Sequence, residues 1–285
     1  MIFDSSRAWN EAVAAVKANR QVLLPVAGVF FLLPGIAGGF FLSDYQEAML
    51  ASLRNPGGPR ATMSTMSGSE AGISLLSILF QMVGTIALLA LLTDRQRPTV
   101  GEAIATGLRS LPTLIGAFLL CVVGYMIVGI VFAIVVGVLA GGLALTAGAA
   151  GAAGIGFLAI LLAVPLVIYA SVKLSMLPPV VAIERTLNPV TAIRRSWGLT
   201  RHNSLRLFFF YLLLFIAYLV IAMIVGGVLG SMLRLATEGA TEKLALGVLS
   251  GLLGAAATLV FIAILAAVHA QLAGTSADRI GETFD

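Results

Sequence analysis

Between Asn188 and Arg206 the chain reads NPVTAIRRSWGLTRHNSLR, gathering Arg194, Arg195, Trp197, Arg201 and His202 into one short stretch. A guanidinium offers a planar fork of donors that matches two phosphate oxygens at once, so three arginines this close suit a phosphate ligand. Arg194 and Arg201 are seven residues apart, which on a helix brings them to one face. Upstream, Lys173 adds a cation, and Glu184 can form a surface ion pair or clamp the arginine face. Such a set serves a nucleic-acid reader, a catalytic loop, or the wet edge of a protein that lives in a membrane.

Composition separates these readings. The 285 residues are 59% hydrophobic and only 11% charged, and the mean hydropathy is +1.05. That leaves too little polar surface to cover a soluble globule of this size. The chain reads as an integral membrane protein, and nucleic-acid binding is set aside. Its net charge of +4 is the excess that membrane proteins carry in their cytoplasmic loops. Cys121, the single cysteine, can form no internal disulfide and sits in an apolar setting that suits an inert packing thiol.

Catalytic chemistry finds little support in the pattern. Metal-assisted hydrolysis needs several carboxylates and usually a histidine converging on one ion, whereas the thirteen acids here are scattered over separate polar segments. No metal-ligand spacing, serine nucleophile elbow or glycine-rich phosphate loop is present, so no metal, no cofactor and no catalytic residue is expected. His269 and Gln81 read as polar groups that join helices.

Six apolar runs must carry these side chains: 21–42, 71–93, 112–141, 154–177, 207–233 and 244–272. Each passes the roughly 20 residues that cross about 30 Å of hydrocarbon, and none alternates as a membrane strand would. The fold class is therefore all-α, a polytopic bundle of six transmembrane helices. Thirteen of the seventeen Lys and Arg residues fall in the N-terminus, the 94–111 and 173–206 loops and the C-terminus, which places both termini in the cytoplasm. The first twenty residues lack the pattern of a cleaved signal peptide.

An ungapped shift of 184 lays the segment from Asp4 over the segment from Asn188, and half that shift, 92, brings in PTVGEAIATGLRSLPTLI. Three units follow, 4–95, 96–187 and 188–285, within one membrane domain. Each would open with an amphipathic helix on the cytoplasmic surface and continue into a transmembrane hairpin. The apolar stripes are Trp9, Val13 and Val16; then Val100, Ile104, Leu108 and Leu111; then Val190, Ile193 and Trp197.

The run from Tyr169 to Leu214 resembles the signature region of the membrane domain of the glycerophosphoryl diester phosphodiesterase family. Tyr169 and Lys173 lead to Pro178, Glu184 follows, and an Ala, Arg, Ser, aromatic, Leu, Thr, Arg order occupies Ala192 to Arg201. Where many relatives have glycine next, this chain has His202. The resemblance implies a six-span bacterial inner-membrane protein. It implies no enzyme, because hydrolysis in the two-domain relatives resembles the work of a separate soluble barrel that is not in this chain.

Small residues at every fourth position mark where helices can approach closely: Ala133, Gly137 and Gly141 in the third span, Ala222, Gly226 and Gly230 in the fifth, and Gly247, Gly251 and Ala255 in the sixth. All lie in the outer half, which predicts tight packing outside and splayed helices inside. The expected function is a non-enzymatic accessory or scaffold protein. It would engage anionic phospholipid, or a membrane-protein partner, through Lys173, Glu184, Arg194, Arg195, Trp197, Arg201 and His202. The alternatives are a lipid or small-molecule transporter, for which Pro34 and Pro165 could break spans, and a lipid-active membrane enzyme.

Overall fold

The computed structural model of the chain describes residues 3–43, 45, 48, 67–93 and 98–274, and everything regular in it is helical. Helix α1 (Ser5–Ala27) continues through a π-helical turn (Gly28–Leu32) into α2 (Leu33–Phe41). Then come α3 (Gly68–Thr93), α4 (Val100–Leu174), the short α5 (Leu177–Ile183), α6 (Pro189–Thr200), α7 (Ser204–Ala236) and α8 (Gly239–Ala273). In α4 a single non-helical residue, Gly148 at φ +64°, joins two helices. Only glycine takes that backbone without cost. Six helical segments are long and apolar enough to cross a membrane: Ser5–Phe41, Gly68–Thr93, Val100–Thr146, Ala153–Ile183, Ser204–Ala236 and Gly239–Ala273. The protein is a polytopic helical membrane protein.

The π-helical turn follows from Pro34. Proline has no N–H to give the Phe30 carbonyl and its ring crowds that carbonyl, and just before it the Leu33 N–H reaches back five residues to Gly28. The widened turn absorbs the proline, so the helix continues. Pro165 likewise lies within an unbroken helical run.

Asp4, Thr99 and Asn188 cap the three helices expected to open the repeat units, each side chain accepting from one or two backbone N–H groups in the first turn. Thr99 completes a reciprocal box with Glu102. Four and eight residues after each cap stand small residues that are all buried: Ala8 and Ala12, Ala103 and Gly107, Ala192 and Ser196. The large residues Trp9, Leu108 and Trp197 point outward instead. Asp4 and Asn188 stand 184 apart, but Thr99 follows Asp4 by 95, so the caps put the middle unit three residues beyond the 92-residue shift. Only the third opening helix is separate. The first two run unbroken into their spans, giving helical segments of 37 and 47 residues, about 55 and 70 Å long at 1.5 Å per residue. Their helical conformation continues through Pro25, Pro34 and Pro112, whereas Arg201–Asn203 form a turn between α6 and α7.

The buried core sits at one end. Leu23, Val26, Phe30 and Phe31 of the first span meet Ile86–Leu89 of α3, Ala103 and Leu114 of α4, Val180 and Val181 of α5, and Leu259 and Ile262 of α8. Phe3, Met176, Leu207, Phe210 and Ile264 form an adjoining cluster. This end also carries both described chain ends, since the Asp4 N–H donates to Gln271 Oε1 at 3.2 Å. The expectation of splayed helices at this end is therefore overturned, and tight packing at the opposite end is confined to the first and sixth spans. Large side chains interdigitate at the basic end, while the most apolar windows of the third and fifth spans contain no buried residue.

The glycine ladders need the same correction. Gly137 and Gly141 have nothing within 4 Å of a would-be Cβ, and Ala133 is exposed, so the third-span ladder packs on no other part of the described chain. A Cβ on Gly226 or Gly230 would meet only the tips of Leu253 and Leu246, at 4.0 and 3.7 Å, and Ala222 is half-buried. The sixth-span ladder is in backbone contact, with a partner the sequence reading did not name. A Cβ on Gly39 would stand 2.5 Å from Gly247 Cα, and one on Gly35 would stand 2.7 Å from Gly251 Cα. Lipid offers little hydrophobic drive for helices to associate, so such close approach acts through van der Waals contact.

Candidate functional site

Helix α6 is held to the bundle along its buried side. Its Asn188 cap follows Leu187, whose carbonyl accepts from the Thr113 hydroxyl at 2.9 Å. At its middle the Ser196 hydroxyl donates to the Lys173 carbonyl at 2.8 Å, with both residues buried. Beyond its end, Asn203 Oδ1 accepts the Phe3 N–H at 3.0 Å, tying the turn to the start of the chain. The other side, spaced three and seven residues from Arg194, presents Arg194, Trp197 and Arg201. All three are exposed, as is His202. Neither Arg194 nor Arg201 has an ion pair among the described residues.

Under Trp197 lies Lys173, only 1% exposed. Its Nζ stands 5.4 Å from the Tyr169 ring centre and 5.6 Å from that of Trp197, and the two rings meet edge to face at 6.2 Å. A desolvated cation over an aromatic face gains about 2 kcal/mol, while burying an unpaired ammonium costs several. The cage offsets part of that cost, and no carboxylate among the described residues pairs with the ammonium. Trp197 is 41% and Tyr169 48% exposed, so the outer faces of the cage remain open.

Arg195 has a different task. Its Nε donates to both oxygens of Glu184 at 3.0 and 2.9 Å, and Glu184 Oε1 also meets His269 Nε2 at 3.1 Å. Facing a carboxylate, Nε2 is the nitrogen assigned the proton. Glu184 caps the end of α5, Arg195 is on α6 and His269 is on α8, so one carboxylate joins three elements. Burial pulls the Glu184 carboxyl upward, but its hydrogen bonds from Arg195 and His269 outweigh that and hold it below the ordinary range. At the next residue the chain turns sharply, Arg185 taking φ +51°.

The structure thus divides the seven residues grouped by sequence. Arg194, Trp197, Arg201 and His202 are exposed, Lys173 is buried behind Trp197, and Arg195 and Glu184 form a helix-joining lock. His269 joins helices as expected, and its partner is Glu184. Gln81 does not: it is exposed, and its backbone carbonyl, not its amide, accepts the Thr85 hydroxyl. Among the described residues, no group of three or more His, Cys, Asp or Glu could hold a metal ion.

A family model described as a domain of unknown function, DUF7847, matches residues 8–278. The chain belongs to this family. The DUF7847 match takes in all six spans, the α6 face and the Glu184 junction, so these features lie within the family's domain and not in an appendage to it. No curated protein and no solved structure matches the chain.

Proposed function

We propose that the protein is a non-enzymatic membrane accessory or scaffold that engages anionic phospholipid headgroups through the Arg194, Trp197 and Arg201 face of α6. One observation carries the proposal: Glu184 occupies Arg195 and fixes the helix, while Arg194 and Arg201 stay exposed on either side of an exposed tryptophan. Indole rings favour the headgroup level of a bilayer, and each basic residue near an anionic surface contributes about 1 kcal/mol. We infer that this end is cytoplasmic from the basic-residue asymmetry, and that the membrane is a bacterial inner membrane from the Tyr169–Leu214 resemblance. We also infer kinship with the membrane domain of the glycerophosphoryl diester phosphodiesterase family, on the Tyr169–Leu214 pattern. The neighbouring Lys173 cage adds a cation behind the same face.

Converting Arg194 and Arg201 together to Gln removes both forked cations while keeping good helix formers. The double variant is expected to insert normally and to copurify with several-fold less anionic phospholipid, measured by mass spectrometry of lipid extracted from the purified protein. Trp197→Ala should loosen α6 from the interface and uncover Lys173. Unchanged anionic lipid in the double variant would leave these arginines as topology anchors and end the headgroup proposal.

A further inference from the structure

A second site lies on the other side of the Glu184 junction. A pocket of about 430 Å³ opens at the basic end between α1, α3, α5 and α8. Its volume falls in the range of small-molecule sites. Its polar side chains are Glu11, Thr93 and His269, and its walls are mostly alanine, among them Ala263, Ala266 and Ala270. The Thr93 hydroxyl donates to the Leu89 carbonyl, and Glu11 pairs with the exposed Arg7 at 2.7 Å. His269 is 4% exposed, and with Nε2 committed to Glu184 its Nδ1 has no partner among the described residues.

We infer that this pocket binds a primary ammonium group, held by Glu11 and by the free ring nitrogen of His269. Each feature of the lining selects that chemistry. With Nε2–H donating to Glu184, Nδ1 keeps a lone pair and must accept, so the ligand must donate. The Glu11 carboxylate, whose present partner Arg7 stands outside the lining, supplies the opposite charge, no basic side chain among the described residues lines the pocket, and the end of α8 adds partial negative charge. A quaternary ammonium has no N–H for Nδ1 and is recognised by the faces of Trp, Tyr or Phe; none of these lines this pocket among the described residues. Alanine methyls suit a short methylene chain beside the amine. Such a group arrives either on a lipid headgroup or as a free small amine. The inference does not depend on the arginine face.

Thermal unfolding of the full chain in detergent, with ethanolamine, choline or glycerol at equal concentration, tests it, together with retained lipid from nanodiscs of phosphatidylethanolamine or phosphatidylcholine. The melting temperature is expected to rise with ethanolamine and not with choline or glycerol, and phosphatidylethanolamine to be retained selectively. A response to the free amine alone identifies a soluble ligand, and selective retention without that response identifies the lipid. Glu11→Gln and Ala270→Leu, the second filling the pocket, should each abolish the response, whereas the Arg194→Gln, Arg201→Gln double variant should keep it. Equal effects of choline and ethanolamine, a full response in both pocket variants, or no response to either source would overturn the inference.

Discussion

Gly39→Leu and Gly247→Leu will each lower the melting temperature steeply, while Gly137→Leu will melt like the parent protein. At Gly39 even a methyl group would stand 2.5 Å from the Gly247 backbone, and at Gly247 it would stand 3.0 Å from the Ile36 carbonyl. Backbone cannot swing aside as a flexible side chain can, so the first and sixth spans must separate. Overpacking a well-packed site costs about 1–3 kcal/mol, and a leucine against backbone belongs at or above the top of that range. Around Gly137 there is open space, so leucine there meets no other part of the described chain. Circular dichroism melts in one detergent give the comparison. Equal melting of all three would mean that the sixth span does not lean on the first through these glycines.

Glu184→Ala carries the second large effect, because it strands two partners at once. Arg195 is half-exposed and can turn to water, but His269 is buried and would keep a ring with no acceptor on Nε2. Leaving a buried polar group unsatisfied costs about 1–3 kcal/mol, and the α5, α6 and α8 contact loses its common point. The wild-type junction should also weaken in acid. A carboxyl held below its ordinary value of 4.5 contributes stability that is fully present above that value and is lost as pH falls through the lower folded value. The stability difference between wild type and Glu184→Gln, followed by chemical unfolding from pH 7 down to pH 3, should therefore shrink toward the acid end. A difference that stays constant across that range would mean that the charged carboxylate is not what holds the junction.

How much of this was legible in the sequence differs from feature to feature. Apolar runs fixed the six spans because a bilayer demands long uncharged helices, and every run overlaps a helical segment. The phosphate-suited arginines were visible because Arg194, Trp197 and Arg201 are spaced to share a helical face. Their division of labour was not, since Arg195 is drawn out of the group by a carboxylate eleven residues away, and His269 reaches the same carboxylate across 85 residues. Lys173 read from sequence as one more cation of the group, but it is buried with the rings of Tyr169 and Trp197 beside it. The ladders misled because four-residue spacing of small residues marks where a helix can pack, not what packs there. Gly35 and Gly39 obey that same spacing, and pairing them with Gly247 and Gly251 was within reach of the rule. Most of the 43–70 connection lies outside the described residues.

The headgroup proposal is tested most directly by the distance between guanidinium nitrogen and lipid phosphorus. Solid-state magnetic resonance, with ¹⁵N-labelled arginine in bilayers containing anionic lipid, can measure ¹⁵N–³¹P dipolar dephasing in the wild type and in the Arg194→Gln, Arg201→Gln double variant. If α6 holds phosphate, the wild type shows strong dephasing of arginine side-chain signals and the double variant loses most of it. Dephasing of equal size in the two proteins, or none in either, would contradict a phosphate held between Arg194 and Arg201.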